Sequence, residues 1–156
     1  SGEGFLKSCD VIHLACHGYF DGFVPEMSSV VLSEVSGLLP DDKEDGYLTV
    51  PEVATLNLNA RMVSLSACST GLTNVRRGDG MVGLVRSFLV AGSRNVGVSL
   101  WNVDDDATRE FMTRVYSKVL KGDLDFPHAY AAVKDEFRKD PKWSHPYYWA
   151  AFTIYE

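Results

Sequence analysis

Short apolar runs alternate along this chain with longer stretches in which apolar residues recur every three or four positions. The short runs are bounded by glycine, proline and small polar residues, as is typical of buried strands, and lie at residues 9–15, 61–68, 94–101 and 147–155. The longer stretches have the spacing of amphipathic helices and lie at about 80–90, 104–121 and 126–138. This alternation predicts an α/β fold with a mostly parallel sheet and helices on both of its faces.

Local signals predict where several further elements begin. Pro51 has the place of a first helical residue, with Thr49 or Val50 before it. Asp104 or Asp105 can cap the helix that follows the third strand. A strand or hairpin arm is predicted within residues 19–35, and the amino terminus is expected to lead almost at once into the first strand. The loops at 36–46 and 69–80 are poorly patterned, and we expect one or both to be disordered until a partner or a missing amino-terminal portion orders them.

Length and composition describe one domain that needs no covalent staples. A chain of 156 residues can bury roughly 70% of its unfolded surface. Its three cysteines form an odd set without a CxxC pair, which favours a reducing, cytoplasmic setting. The net charge of −6 provides no basic footprint for nucleic acid or an anionic membrane, and no apolar run reaches the length of a membrane span. We therefore expect a soluble intracellular domain that contacts neither nucleic acid nor membrane.

Two of the predicted strands end in a residue that can take part in nucleophilic catalysis. His17 follows the first strand, and Cys68 follows the second, 51 residues later. Ligands bind at the carboxyl ends of strands in open α/β sheets, so the imidazole and the thiol can meet if the two strands are parallel neighbours. A histidine can take the thiol proton and later protonate a leaving amine. The backbone N–H groups of Gly18 and Cys68 would then be placed to bind the oxyanion.

Other interpretations exist for these residues. Cys68 is also compatible with a small buried apolar side chain, the commonest fate of a free cysteine. His13 lies within the first strand, where we expect a hydrogen-bonded core histidine rather than a functional one. Cys9 and Cys16 are expected to fill the core. A metal site formed by Cys16, His17 and Cys68 would lack a fourth ligand at a recognisable spacing, so we expect no metal and no cofactor.

Five ordered motifs resemble those of the CHAT domain, a caspase-like peptidase domain that often follows tetratricopeptide repeats and is akin to separase. The motifs are HLACHG at residues 13–18, LSACSTG at 65–71, AGSRNV at 91–96, SLWNVDD at 99–105 and HPYYWAAF at 145–152. The resemblance covers nearly the whole chain, so residues 1–156 are expected to form a single CHAT domain or its carboxyl-terminal major part. The implied fold is a caspase-like three-layer sandwich, and the first strand and helix of the family are expected to be missing.

The resemblance implies a cysteine endopeptidase that cleaves a partner protein or peptide, with His17 and Cys68 as its dyad. Gly18 would help to bind the oxyanion, and an upstream repeat domain in the same polypeptide would regulate the activity. The alternative is a catalytically silent interaction or signalling module with the same fold. The intact histidine–cysteine pair favours the peptidase, because a binding surface needs neither residue at those places.

Substrate-binding residues are implied by the same resemblance. The substrate would add as an extended strand beside the end of the third strand, at residues 99–102, and the residue two before the cysteine would line the primary pocket. Acidic residues from neighbouring elements could also reach this pocket, although helix capping is the favoured role for the cluster at 104–106. The implied set is Ser66, Ser99, Leu100, Trp101, Asn102, Asp10, Asp104, Asp105 and Asp106.

Overall fold

The computed structural model describes residues 2–21, 23–32, 46–66 and 77–156. The strands of this part of the chain are β1 (Val11–Leu14), β2 (His17–Tyr19), β3 (Ser29–Val31), β4 (Tyr47–Thr49), β5 (Met62–Leu65), β6 (Val96–Ser99) and β7 (Phe152–Tyr155). Its α-helices are α1 (Gly2–Ser8), α2 (Val50–Thr55), α3 (Arg77–Val90), α4 (Asp105–Leu120) and α5 (Phe126–Lys139). Short 3-10 turns form at Pro25–Met27 and Pro146–Tyr148.

Four strands form the main sheet in the order β1-β5-β6-β7. β1, β5 and β6 are parallel, and β7 runs antiparallel to β6. Leu14 at the end of β1 pairs with Leu65 at the end of β5, which in turn pairs with Val98 of β6. The carboxyl ends of the three parallel strands therefore lie at one edge of the sheet.

Helices cover both faces of this sheet, as the sequence pattern predicts. Met62 joins a core cluster that contains residues of α4 and α5, such as Phe111 and Phe137. Its neighbour Val63 joins a second cluster that contains residues of α2 and α3, such as Phe88. Side chains alternate between the two faces of a strand, so consecutive residues of β5 pack into opposite layers. The result is the mixed α/β, three-layer arrangement expected for a caspase-like fold.

A second, antiparallel sheet has the strand order β2-β3-β4. The sequence pattern predicts only a hairpin arm in this region, and it places His17 at the end of the first strand. In the structure β1 ends at Leu14, the chain bends at Cys16, and His17 is the first residue of β2, paired with Val31 of β3. His17 is therefore held by the pairing of β2 with β3 in the second sheet, and not by the main sheet.

Two helix starts follow the predicted signals. Thr49 precedes α2, and its backbone N–H donates to Glu52 Oε2 at 2.8 Å. Asp104 caps α4, since its Oδ1 accepts a hydrogen bond from the backbone N–H of Ala107 at 3.1 Å. Satisfying the free N–H groups of the first turn in this way fixes where each helix begins.

Three element boundaries differ from the predictions. The amino-terminal residues form the short helix α1 where a strand was expected, and α3 begins at Arg77 rather than near residue 80. β7 begins at Phe152 rather than 147, because residues 146–148 form a 3-10 turn in which Tyr147 N donates to His145 Nδ1 at 3.2 Å. Residues 36–45 and 69–76, which include most of the two loops expected to be disordered, lie outside the described residues.

None of the helices in the described ranges has the length and apolar character needed to cross a membrane.

Candidate active site

β1 and β5 precede the two residues of the predicted dyad in the sequence, and they end side by side at one edge of the main sheet. The paired residues Leu14 and Leu65 close these parallel neighbours, and His17 follows Leu14 by three residues, as Cys68 follows Leu65. His17 is exposed to solvent. Cys68 lies outside the described residues, and Ser66 is the last described residue before it. Ser66 N donates to Leu14 O at 3.2 Å, so the pairing of the two strands continues one residue past Leu65.

A cavity of about 520 Å³ opens at this edge, between the strand ends and α4. His17 and Ser66 both line it, together with residues of the first three turns of α4. Its full described lining is His13, Ala15, Cys16, His17, Ser66, Asp105, Thr108, Arg109, Met112, Thr113 and Tyr116. Its volume lies in the range of small-molecule and side-chain pockets.

His13 forms the polar wall of this cavity. Its Nδ1 is 2.6 Å from the hydroxyl of Tyr116, and its Nε2 is 2.8 Å from the hydroxyl of Ser66. The Tyr116 ring is tilted over the imidazole, with 5.8 Å between ring centroids. The sequence led us to expect a hydrogen-bonded core histidine; the hydrogen bonds are present, but the residue is exposed at the cavity rather than enclosed in the core.

The cavity is mainly neutral in its inner part. Burial lowers the pKa of His13 from the ordinary value of 6.5, so the imidazole is neutral at pH 7. Burial also raises the pKa of the Cys16 thiol, which keeps that cysteine in its unreactive protonated form. The charged lining residues Asp105 and Arg109 are both exposed, and Arg109 pairs with Asp106 at 3.0 Å.

Gly18 lies within β2, opposite Val30, and is buried. A glycine after a histidine permits a sharp turn, but the chain bends before Gly18, and the described glycines with positive φ are Gly46, Gly92 and Gly122. Gly18 therefore stands in extended backbone next to His17. Its role towards an oxyanion stays a prediction.

The segment after β6 lies one strand away from the cavity. Ser66 and Ser99 each stand one position past the paired residues Leu65 and Val98. Leu100 N donates to Ala151 O at 3.0 Å, and Trp101 Nε1 donates to Tyr147 O at 3.1 Å. The Tyr147 hydroxyl also donates to Asn102 O at 2.7 Å, so residues 99–102 are held against the chain that leads into β7. Leu100, Trp101 and Asn102 are not among the described residues of the cavity wall.

The four acidic residues implied in substrate binding lie in different places. Asp105 lines the cavity, Asp104 caps α4, and Asp106 pairs with Arg109. Asp10 precedes β1, at the opposite edge of the sheet, where Arg61 Nε donates to its Oδ1 at 2.7 Å. That guanidinium lowers the pKa of Asp10. Asp10 therefore lies at the amino ends of the strands, whereas the cavity lies at their carboxyl ends. The prediction that Asp10 could reach the pocket is wrong.

A comparison with protein families finds one family model that matches almost the whole chain. The family model described as the CHAT domain matches residues 4–156 of the chain. The chain belongs to the CHAT family. This family is caspase-like, which agrees with the mostly parallel sheet and the helices on its two faces.

Two curated relatives of this CHAT domain carry the name tetratricopeptide repeat protein 28, one from Mus musculus and one from Homo sapiens. Each is 34% identical to it over 107 residues, which is 69% of this chain and 4% of the relative. The chain thus matches only a small part of those long proteins.

Sequence reasoning missed the contribution of α4 to the wall of the cavity. The helical spacing puts Met112 and Tyr116 on the apolar face of this helix, which predicts core packing, yet both also line the cavity of the CHAT domain. The one available signal was His13, because a polar ring in an apolar strand needs hydrogen-bond partners. Nothing in the local sequence indicates that a tyrosine 103 residues away supplies one of them. Among the described residues, no three histidine, cysteine or acidic side chains are grouped as metal ligands.

Proposed function

We propose that this CHAT domain is a cysteine endopeptidase in which His17 and Cys68 form the catalytic dyad. The observation that carries the proposal is the parallel pairing of β1 and β5, with both residues three positions beyond the paired ends. His17 is exposed and lines the cavity that Ser66 also lines, two residues before Cys68. Because each group lies only three residues from a paired strand end, the imidazole and the thiol can come within the hydrogen-bond distance that an activated nucleophile requires.

In the proposed reaction His17 takes the proton of the Cys68 thiol, and the thiolate attacks the scissile carbonyl carbon. A sulfur–carbon bond forms, and the carbonyl oxygen becomes an oxyanion held by the backbone N–H groups of Gly18 and Cys68. The imidazolium then protonates the leaving amine as the carbon–nitrogen bond breaks. Water, deprotonated by His17, hydrolyses the thioester and regenerates the free enzyme.

The proposed substrate is an extended segment of a protein or peptide. It would pair with residues 99–102 by backbone hydrogen bonds and place the side chain before the cut in the cavity beside Ser66. Because the inner wall is neutral and the charges of Asp105 and Arg109 lie at the exposed part, we expect an uncharged side chain there. Asp104 and Asp106 have structural partners, so of the acidic cluster we retain Asp105 for contact with substrate.

The partners of the whole protein are also part of the proposal. The relatives are named for tetratricopeptide repeats, which supports a repeat domain in the same polypeptide that controls access to the site. The three cysteines form an odd set without a CxxC pair, which favours a reducing compartment, so we place the activity in the cytoplasm.

The proposal is tested by replacing the proposed nucleophile. The full-length protein, Cys68→Ala and the control Cys9→Ala are incubated with a library of tetrapeptide aminocoumarins, and with a peptide chloromethyl ketone that alkylates catalytic thiols. Cys9 lies at the amino-terminal side of β1, where its Sγ contacts Phe5 O at 3.4 Å, so it should be dispensable.

Cleavage and labelling are expected to be lost in Cys68→Ala and kept in Cys9→Ala, with unchanged circular dichroism in both. Undiminished cleavage by Cys68→Ala would refute the proposal. A wild-type protein that neither cleaves nor labels, but binds its partner, would favour the silent interaction module instead.

A further inference from the structure

A hydrogen-bonded clamp joins three elements next to the chain that leads to Cys68. It consists of His13 on β1, Tyr116 on α4 and Ser66, which directly follows β5. The two contacts, at 2.6 Å to Tyr116 and 2.8 Å to Ser66, occupy both ring nitrogens of His13. We call these three residues the His13 clamp.

The sheet itself sets the geometry of the clamp. His13 pairs in register with Ser64, so the imidazole lies on the same face of the sheet as Ser64 and Ser66. Tyr116 approaches from α4 on that face, and its ring also packs edge-on against Phe126 at 6.3 Å. Burial raises the pKa of the Tyr116 hydroxyl, and the nearby Ser64 hydroxyl partly opposes this rise. The tyrosine is thus a fixed anchor for the imidazole.

Ser66, the last described residue before Cys68, is held by two hydrogen bonds. Its backbone N–H bonds to Leu14 O at 3.2 Å, and its hydroxyl bonds to His13 Nε2 at 2.8 Å. The backbone hydrogen bond continues the pairing of β5 with β1. The side-chain hydrogen bond fixes the direction in which the Ser66 side chain points. Ser66 stands two residues before Cys68 in the sequence, so the clamp holds the last described residue before the proposed nucleophile.

We infer that His13 is a positioning residue of the peptidase, which holds Ser66 in place so that Cys68 is presented to His17. This inference rests on the proposed function. His13 does not exchange a proton with the substrate, because both its nitrogens already bond to protein hydroxyls. A misplacement of the nucleophile by about 1 Å can cost roughly 10²-fold in rate, which sets the size of the expected effect.

Two substitutions separate the two hydrogen bonds of the imidazole. The amide of asparagine takes the place of Nδ1, so His13→Asn keeps the bond to Tyr116 and loses the bond to Ser66. The longer side chain of glutamine reaches the place of Nε2, so His13→Gln keeps the bond to Ser66. Ser66→Ala removes the same bond from its other end. His128→Asn is the control, because His128 is an exposed residue of α5 that bonds only locally, to Asp125.

The variants are made in the full-length protein and compared in three measurements. These are kcat and KM with the best library peptide, the rate of Cys68 alkylation by iodoacetamide mapped by mass spectrometry, and the thermal midpoint. We expect kcat to fall about 100-fold in His13→Asn and in Ser66→Ala, and less than about fivefold in His13→Gln. The alkylation rate should fall in the same order but by no more than about 30-fold, because an unassisted thiol is still a few per cent thiolate at pH 7. The double variant His13→Asn/Ser66→Ala should lose no more than either single variant, since all three lack the same bond.

A purely structural role for His13 predicts a different pattern. Asparagine and glutamine would then lower the thermal midpoint alike, and kcat per folded molecule would stay at the level of His128→Asn. That pattern, or additive losses in the double variant, would overturn the clamp while leaving the dyad intact. A wild-type protein without cleavage and without selective alkylation of Cys68 would overturn the dyad, and the clamp with it.

Discussion

Gly97 is the position in the central strand β6 at which one added methyl group should disturb the layer that supports the site. A Cβ at this residue would collide with the Tyr130 hydroxyl and with the terminal methyl of Met62. Tyr130 is 3% exposed and lies in the core between α5 and the sheet, so the collision is relieved only if its ring shifts among other buried side chains. Gly97 pairs with Ser64, whose hydroxyl interacts with both Tyr116 and Tyr130.

The expected size of the effect of Gly97→Ala follows from two opposed contributions. Overpacking a well-filled core costs about 1–3 kcal/mol. Replacing glycine by alanine within a strand returns about 0.5–1 kcal/mol of backbone entropy. The central values of these two contributions leave a net loss of about 1 kcal/mol, with an upper bound of about 2.5 kcal/mol. For a chain of this size, the central value lowers the midpoint of thermal unfolding by roughly 2–4 °C.

Urea and thermal unfolding followed by circular dichroism measure this loss, with Gly4→Ala as the matched control. Gly4 lies in α1 with nothing within 4 Å of its added Cβ, so the same chemical change should stabilise the protein. Removing the obstructing hydroxyl with Tyr130→Phe should recover part of the loss in the Gly97→Ala background. If Gly97→Ala is as stable as the wild type, or if Tyr130→Phe destabilises both backgrounds equally, the close packing described here is wrong.

Two further predictions concern pH. Arg61 lowers the pKa of Asp10 below its ordinary value of 3.8, so this pair stabilises the fold above that value and the stabilisation disappears as the pH falls through the lowered pKa. Asp10→Asn should therefore be less stable than the wild type at pH 5 to 7 and equal to it in strong acid, with unchanged peptide cleavage; a loss of cleavage would contradict its place at the far edge. The folded-state pKa of His13 is also lowered, but for a histidine this means that the unfolded chain binds the proton first. Wild-type stability in urea should thus decrease as the pH falls below about 6.5, with a shallower decrease in His13→Gln, and parallel curves would count against this reasoning.

Local patterns were sufficient to predict the four strands of the main sheet and the helices between them. Apolar runs bounded by turn residues marked β1, β5 and β6, and helical spacing marked α4 and α5 within a few positions. The predicted cap at Asp104 is present because capping depends only on the next three residues. The helix α1 was not predicted, because a short segment with few apolar residues has little local preference between a strand and a helix.

The placement of acidic residues depended on strand direction, which a local pattern does not contain. Asp10 and Asp105 are equally plausible pocket residues in the sequence, and the structure puts one before a strand and the other after one. Because β1 and β5 are parallel, residues before them meet at one edge and residues after them at the other. Asp10 therefore bonds to Arg61, whereas Asp105 reaches the cavity.

The sequence by itself determined the CHAT family, the alternation of strands and helices, and the pair His17 and Cys68 after two apolar strands, because these features are written in short contiguous motifs. Only the tertiary structure decided that β1 and β5 are neighbours in register, that α4 walls the cavity, and that His13 bonds to both Tyr116 and Ser66. Such contacts join residues up to 103 positions apart, and they arise from strand register and layer packing rather than from the preferences of any one segment.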